Sequence, residues 1–228
     1  MRHAILGTTL FFGLIGSAAA AVNCASPPNN TVNNFVNDDV VAIGITCTIG
    51  PSGSVNGSVT QTGDGGLVIR GAVNGSVSEA GPGDVVLARG ARIAGDVSEA
   101  DGGNIAVRGG ASMDGAVEES GDGSVNVTVD VPGLVKGNIY ENGNGGVTVN
   151  ALAGSFEGAV SETGPGNVAV IFGFGLSFKG DIEEADGGSV TADVSGFFEG
   201  NIVEALGGNV ITSGPGVITL PPRASTML

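Results

Sequence analysis

A parallel β-solenoid is the fold this sequence predicts, and three observations carry that prediction. A frame of residues recurs eight times, starting at Gly57, Gly75, Gly95, Gly115, Gly137, Gly158, Gly180 and Gly200, so neighbouring copies lie 18 to 22 residues apart. A fixed period near this length is the signature of stacked repeats. Within each copy apolar and polar residues alternate, and the turns between are rich in Gly, Pro, Asp and Asn. No window shows the 3.6-residue period of an amphipathic helix. One copy cannot bury its apolar face alone. Stacked copies can, because each strand then pairs with its equivalent about 4.8 Å along the axis. The expectation is an all-β chain, a parallel β-solenoid of about eight coils of ~20 residues, right-handed because strand twist favours that coiling.

The elements follow from the frame, counting its opening glycine as position zero. Positions −2, 0 and +2 alternate with polar neighbours, as in VNGSVS, IAGDVS and FEGAVS. This reads as one strand with a buried face, its glycine facing inward to leave room for the opposite wall. Position +2 is always Val or Ile, and position +8 is always Gly. A turn such as AGPG or ADGG precedes a second strand at +10 to +12, for example LVI, VVL or IAV. Each copy thus reads as two strands and two turns. Position −2 changes from Val55, Val73, Ile93, Met113 and Val135 to Phe156, Phe178 and Phe198. Phe172, Phe174 and Phe197 lie in the same part of the chain, which suggests a wider coil filled by aromatics. The competing reading, an exposed strip that binds sugar, has no Trp behind it and only Tyr140 as tyrosine.

Residues 1–21 carry Arg2 and His3, the apolar run AILGTTLFFGLIG and then SAAAA, the pattern of a secretory signal peptide. Residues 22–50 read as an N-terminal cap, 51–217 as the repeat solenoid and 218–228 as a tail without repeat or anchor. No later run is long and apolar enough to span a membrane. Cys24 and Cys47 are the two cysteines, and in an exported chain they are expected to form a disulfide. It would clamp the open end of the stack, where a bare sheet edge templates aggregation.

Export removes the one histidine, and with it every histidine-based mechanism. Of 8 basic side chains Arg2 is lost, leaving 7 against 23 acidic ones and a net charge near −16. Such a charge argues against nucleic acid and against anionic membrane as partners. Arg70, Arg89, Arg92 and Arg108 are the nearest thing to a basic group, and read as a loose stripe pairing with acidic side chains. The glycine-rich turns lack the following helix and GK[ST] of a phosphate loop. As calcium-binding nonapeptide repeats they would need Asp after the glycines, yet only Asp84 fits. Asn104, Ser124, Gly146, Asn167, Ser189 and Asn209 stand there elsewhere. Thr60, Thr62, Thr148 and Thr163 make no regular column of the kind ice binding requires. No catalytic and no cofactor-binding residue emerges, and the chain reads as a non-enzyme.

Position +4 supplies the candidate site. It is Gln61 once, then Glu79, Glu99, Glu119, Glu141, Glu162, Glu184 and Glu204. In a stack these carboxylates form a file about 4.8 Å apart, each neighbouring pair repelling by about 0.9 kcal/mol in bulk water. Alternation points +4 inward, yet +4 also lies where the chain begins to turn. Two orientations therefore stay open. One is a solvated acidic edge; the other is a desolvated corner whose pKa values rise. Calcium bridging adjacent carboxylates is the one cofactor the file suggests.

The phrase V-x-[QE]-x-G-x-G-[ND] appears as VSEAGPGD from Val77 and VSETGPGN from Val160, and as VTQTGDGG from Val59 with Gly66 in its last place. It resembles the curlin repeat of bacterial functional amyloids, over roughly Gly57 to Thr212. Glu replaces that family's Gln in seven of eight copies, its Asn is often replaced, and its second Gln has no counterpart. The Gly-x-Val alternation is also similar to bactofilins, whose cytoplasmic location fits an export signal poorly. The curlin resemblance implies exported subunits that stack as β-solenoids into extracellular fibres. The expected function is thus a secreted, periplasmic or cell-surface structural solenoid, fibre-forming or adhesin-like, whose partners are further copies or other surface and matrix proteins. The alternative is a carbohydrate-binding or carbohydrate-active β-helix with glycans as partners, since the fold alone excludes neither.

Overall fold

The computed structural model describes residues 21–24, 30–130, 134–205 and 207–214. The signal peptide and the tail from 218 lie outside them. Three parallel sheets run the length of the stack, and the chain visits them in turn. Sheet A has ten strands from Val22–Asn23 to Ile202–Glu204, and sheet B ten from Thr31–Val32 to Val210–Ser213. Sheet C has nine, from Phe35–Val36 to Phe197–Glu199. Every strand pairs in parallel with its equivalent one coil away, in the register of the repeat, as in Val77↔Val97 and Glu79↔Glu99. The eight copies supply eight levels of sheet A, and Val22–Asn23 and Val40–Ile43 add two before them. Ten levels extend about 43 Å at the usual interstrand spacing.

Two expectations about the coil are corrected. Each coil has three strands rather than two, because the run through −2, 0 and +2 is broken at position zero. Ala72–Val73 belongs to sheet C, and Val77–Ala80 to sheet A. The glycine at zero does not face inward. It forms the corner between those sheets, where successive coils nearly touch: a Cβ on Gly115 would collide with the carbonyl of Gly95. The alternation survived because −2 and +2 both point to the core, from different walls.

Sheet A contributes Val77, Val97 and their equivalents at +2, sheet B the residues at +10 and +12, and sheet C those at −2. From Val125–Val129 onward the sheet B strands lengthen from three residues to five or four, placing Val129, Ala151, Phe172 and Val194 inside. The aromatics fill that wider coil, as the sequence suggested. Phe156 and Phe178 stack at 4.9 Å, Phe178 and Phe198 at 5.4 Å, and Phe172 meets Phe178 edge-on. Phe174 and Phe197, however, lie outside the core, 89% and 60% exposed.

At the N-terminal end Cys24 and Cys47 are bonded, with Cα atoms 5.9 Å apart. The bridge ties the first coil's sheet A to the second coil's sheet B. Closing a loop of this size stabilises by about 3 kcal/mol in the chain-entropy model. Reduction should therefore lower Tm and fray the first coil, read as lost amide protection in residues 30–49. An unchanged melt under reductant would contradict this.

Candidate functional site: a buried column of glutamates

The +4 residues fall in one file, in register through every coil: Ala42, Gln61, Glu79, Glu99, Glu119, Glu141, Glu162, Glu184 and Glu204. The file faces inward. Gln61 and the six glutamates from Glu79 to Glu184 are at most 1% exposed, and Glu204 on the last coil is half-buried. The orientation left open by the sequence is thus resolved in favour of burial.

The turn to sheet B explains how carboxylates sit there. Position +8 brings its backbone N–H back over the glutamate four residues earlier. Gly103 donates to Glu99 Oε1 at 2.9 Å, Gly123 to Glu119 at 3.1 Å, Gly188 to Glu184 at 2.8 Å and Gly208 to Glu204 at 2.7 Å. Gly143 and Gly145 both donate to Glu141 Oε1, at 2.8 and 3.2 Å. One oxygen thus ties down the turn at every glutamate of the file except Glu79. The other has no N–H or O–H partner at Glu99, Glu119, Glu141, Glu162 and Glu184, and at Glu79 neither has.

A proton shared with the next coil answers that deficit. Burial first, then a hydrogen bond to the Glu99 carboxyl, pushes Glu79 from its ordinary 4.5 up to about 8. Burial and a hydrogen bond to Glu141 do the same for Glu119, and likewise for Glu162. The raised residues alternate along the file. Each held proton lets one carboxyl donate to its neighbour, so hydrogen bonding replaces like-charge repulsion in the buried file. At the file's N-terminal end the amide of Gln61 donates to the carbonyls of Thr62 and Gly63, at 3.3 and 3.1 Å. There the chemistry changes to a group that needs no proton.

Among the described residues no three His, Cys, Asp or Glu side chains converge as metal ligands do. The residues at the position of the calcium motif's Asp have another task. Asp84, Asn104, Ser124, Asn167 and Ser189 each accept the N–H of the equivalent residue one coil on, at 2.9 to 3.3 Å. Ser58, Ser76, Asp96, Asn138 and Asp181 do the same at position +1. Sequence reasoning missed both columns. Their signal was the restriction of +1 and +9 to short side chains, mostly oxygen-bearing.

The four arginines lie on three consecutive coils at the edge between sheets B and C, all exposed. No ion pair joins them to acidic residues among the described residues; the pairing expected of them is not formed. The ion pair present is Lys179 Nζ to Glu199 Oε2 at 3.6 Å, on the outer face of sheet C. It continues a file of alternating sign, Lys136, Glu157, Lys179 and Glu199.

These features define a parallel β-solenoid with a dry, proton-sharing carboxyl file. Comparison with protein-family models, curated proteins and solved structures finds no match for the chain. No helix among the described residues is long and apolar enough to cross a membrane.

Proposed function

We propose that the protein is an exported structural solenoid that works by assembly at the cell surface or in an extracellular matrix. The observation that carries this reading is what the recurring positions are used for. Positions +2 and +10 pack the core, +8 admits the backbone of the preceding coil, +4 ties down the turn, and +1 and +9 satisfy N–H groups one coil away. Every recurrent residue serves the stack, which is what a chain whose task is to be a rod requires. The partial curlin resemblance supports it, with glutamate standing in the file where that family has glutamine.

Secretion of the full chain, followed by negative-stain microscopy of the extracellular material, tests the proposal. Fibres or an ordered matrix are expected. Discrete short rods under all conditions would overturn it. The glycan reading keeps one observation, a groove of about 800 Å³ lined by Phe174, Phe197, Leu176, Ser155, Ser177 and Ser195. It holds no carboxylate, so it favours binding over hydrolysis, and a glycan array decides it.

A further inference from the structure

We propose that the edge between sheets B and C docks the solenoid on an anionic lipid bilayer. This edge differs from the rest of the surface. Arg70 and Arg108 follow the sheet B strands Leu67–Ile69 and Ile105–Val107, while Arg89 lies in the turn between them and Arg92 opens a sheet C strand. They are four of the seven basic residues left after the signal. Two to four coils further along the same edge, Leu152, Ile171, Phe174 and Phe197 are 62%, 39%, 89% and 60% exposed. The other exposed large apolar residues, Val22, Phe35, Ile43 and Ile211, lie in the first two coils and the last. One edge thus carries a cationic stretch and an apolar stretch in line, about 19 Å apart centre to centre.

The partner must offer anionic groups and hydrocarbon side by side, as an anionic bilayer does. A second copy does not. Set edge against edge in parallel, arginines meet arginines; set antiparallel about the apolar stretch, the arginines face none of the partner's described residues. The edge between sheets A and B has acidic turn residues, Asp64, Asp84, Asp101 and Asp122, but its one large exposed apolar side chain among the described residues is Ile43, a coil before them, so it offers no apolar stretch. The net charge near −16 does not forbid docking. Those acidic turns lie a strand away, about 10–17 Å, outside a Debye length of about 8–10 Å. Asp130 lies on the docking edge itself, its carboxyl against Gly109 one coil earlier, and Asp193 lies in the sheet B strand Val190–Val194; four arginines outnumber these two.

The test is co-sedimentation of the secreted chain with vesicles of phosphatidylglycerol and phosphatidylcholine, beside pure phosphatidylcholine vesicles and a tube without lipid. Expected is pelleting with the anionic vesicles, weakened by salt. Replacing Arg70 and Arg108 by Ser should weaken it about fivefold per arginine, and Leu152→Ser with Phe174→Ser should remove most of the rest. All four side chains are exposed, so Tm should not change. Pelleting without lipid is the self-assembly of the structural reading and sets the baseline; anionic vesicles that raise pelleting no further above it overturn the proposal and leave that reading standing. So does binding that is absent, salt-independent or unaltered in the variants.

Discussion

Changing Glu79, Glu99, Glu119, Glu141, Glu162, Glu184 and Glu204 together to glutamine is expected to abolish a rise in Tm on acidification that the natural chain shows. The sign follows from the raised values. Glu79, Glu119 and Glu162 titrate near 8 in the stack, against an ordinary 4.5. Between those limits the folded stack binds more protons than the unfolded chain, so stability falls as pH rises. The contribution is fully present below the ordinary value and lost through about pH 8. Three protons taken up on folding set a slope of at most about 4 kcal/mol per pH unit. The natural chain should therefore melt on the order of 10 °C higher near pH 5 than near pH 9. Glutamine cannot ionise and offers an oxygen that can accept the turn N–H, although Gln61 within the file instead turns its amide N–H to the carbonyls of Thr62 and Gly63. The variant should melt above the natural chain near pH 9, and the two should converge near pH 5. Parallel pH profiles would mean that the file does not govern stability.

The repeat made the architecture legible: period, alternation and glycine-rich turns led to a parallel stack, its register and most of its core. The third strand was hidden because the corner at position zero keeps −2 and +2 pointing inward, so two strands on different walls mimic one. The orientation of the glutamates was hidden for a related reason. Alternation puts +4 inside, but whether a carboxylate can stay there depends on N–H groups from the turn and carboxyls from adjacent coils. The first come from +8 of the same copy but are aimed only by the folded turn, and the second lie outside a single copy. Asn104 and Ser124 looked like failures of a calcium motif because their partner is one coil away, and the arginine edge was invisible in a net charge.

Gly145→Ala should be among the most damaging single changes, lowering stability by about 3 kcal/mol, the upper end for overpacking. Position +8 is where consecutive coils come closest. A Cβ on Gly145 would run into the carbonyl of Gly123 in the preceding coil, backbone against backbone, with no flexible side chain to give way. Relief requires the turns to separate, which draws the Gly145 N–H from Glu141 Oε1, now 3.2 Å away, and opens the file to water. Coils contact only their neighbours, so a fault in mid-stack should uncouple the two halves. Gly145→Ala is expected to turn one cooperative melt into two, the lower shifted by about 10 °C. Ser161→Ala, outward-facing on the next coil's sheet A strand, should leave the melt unchanged. A single transition at the natural Tm for Gly145→Ala would mean that the coils do not approach this closely, and the explanation of the recurrent glycine would fall with it.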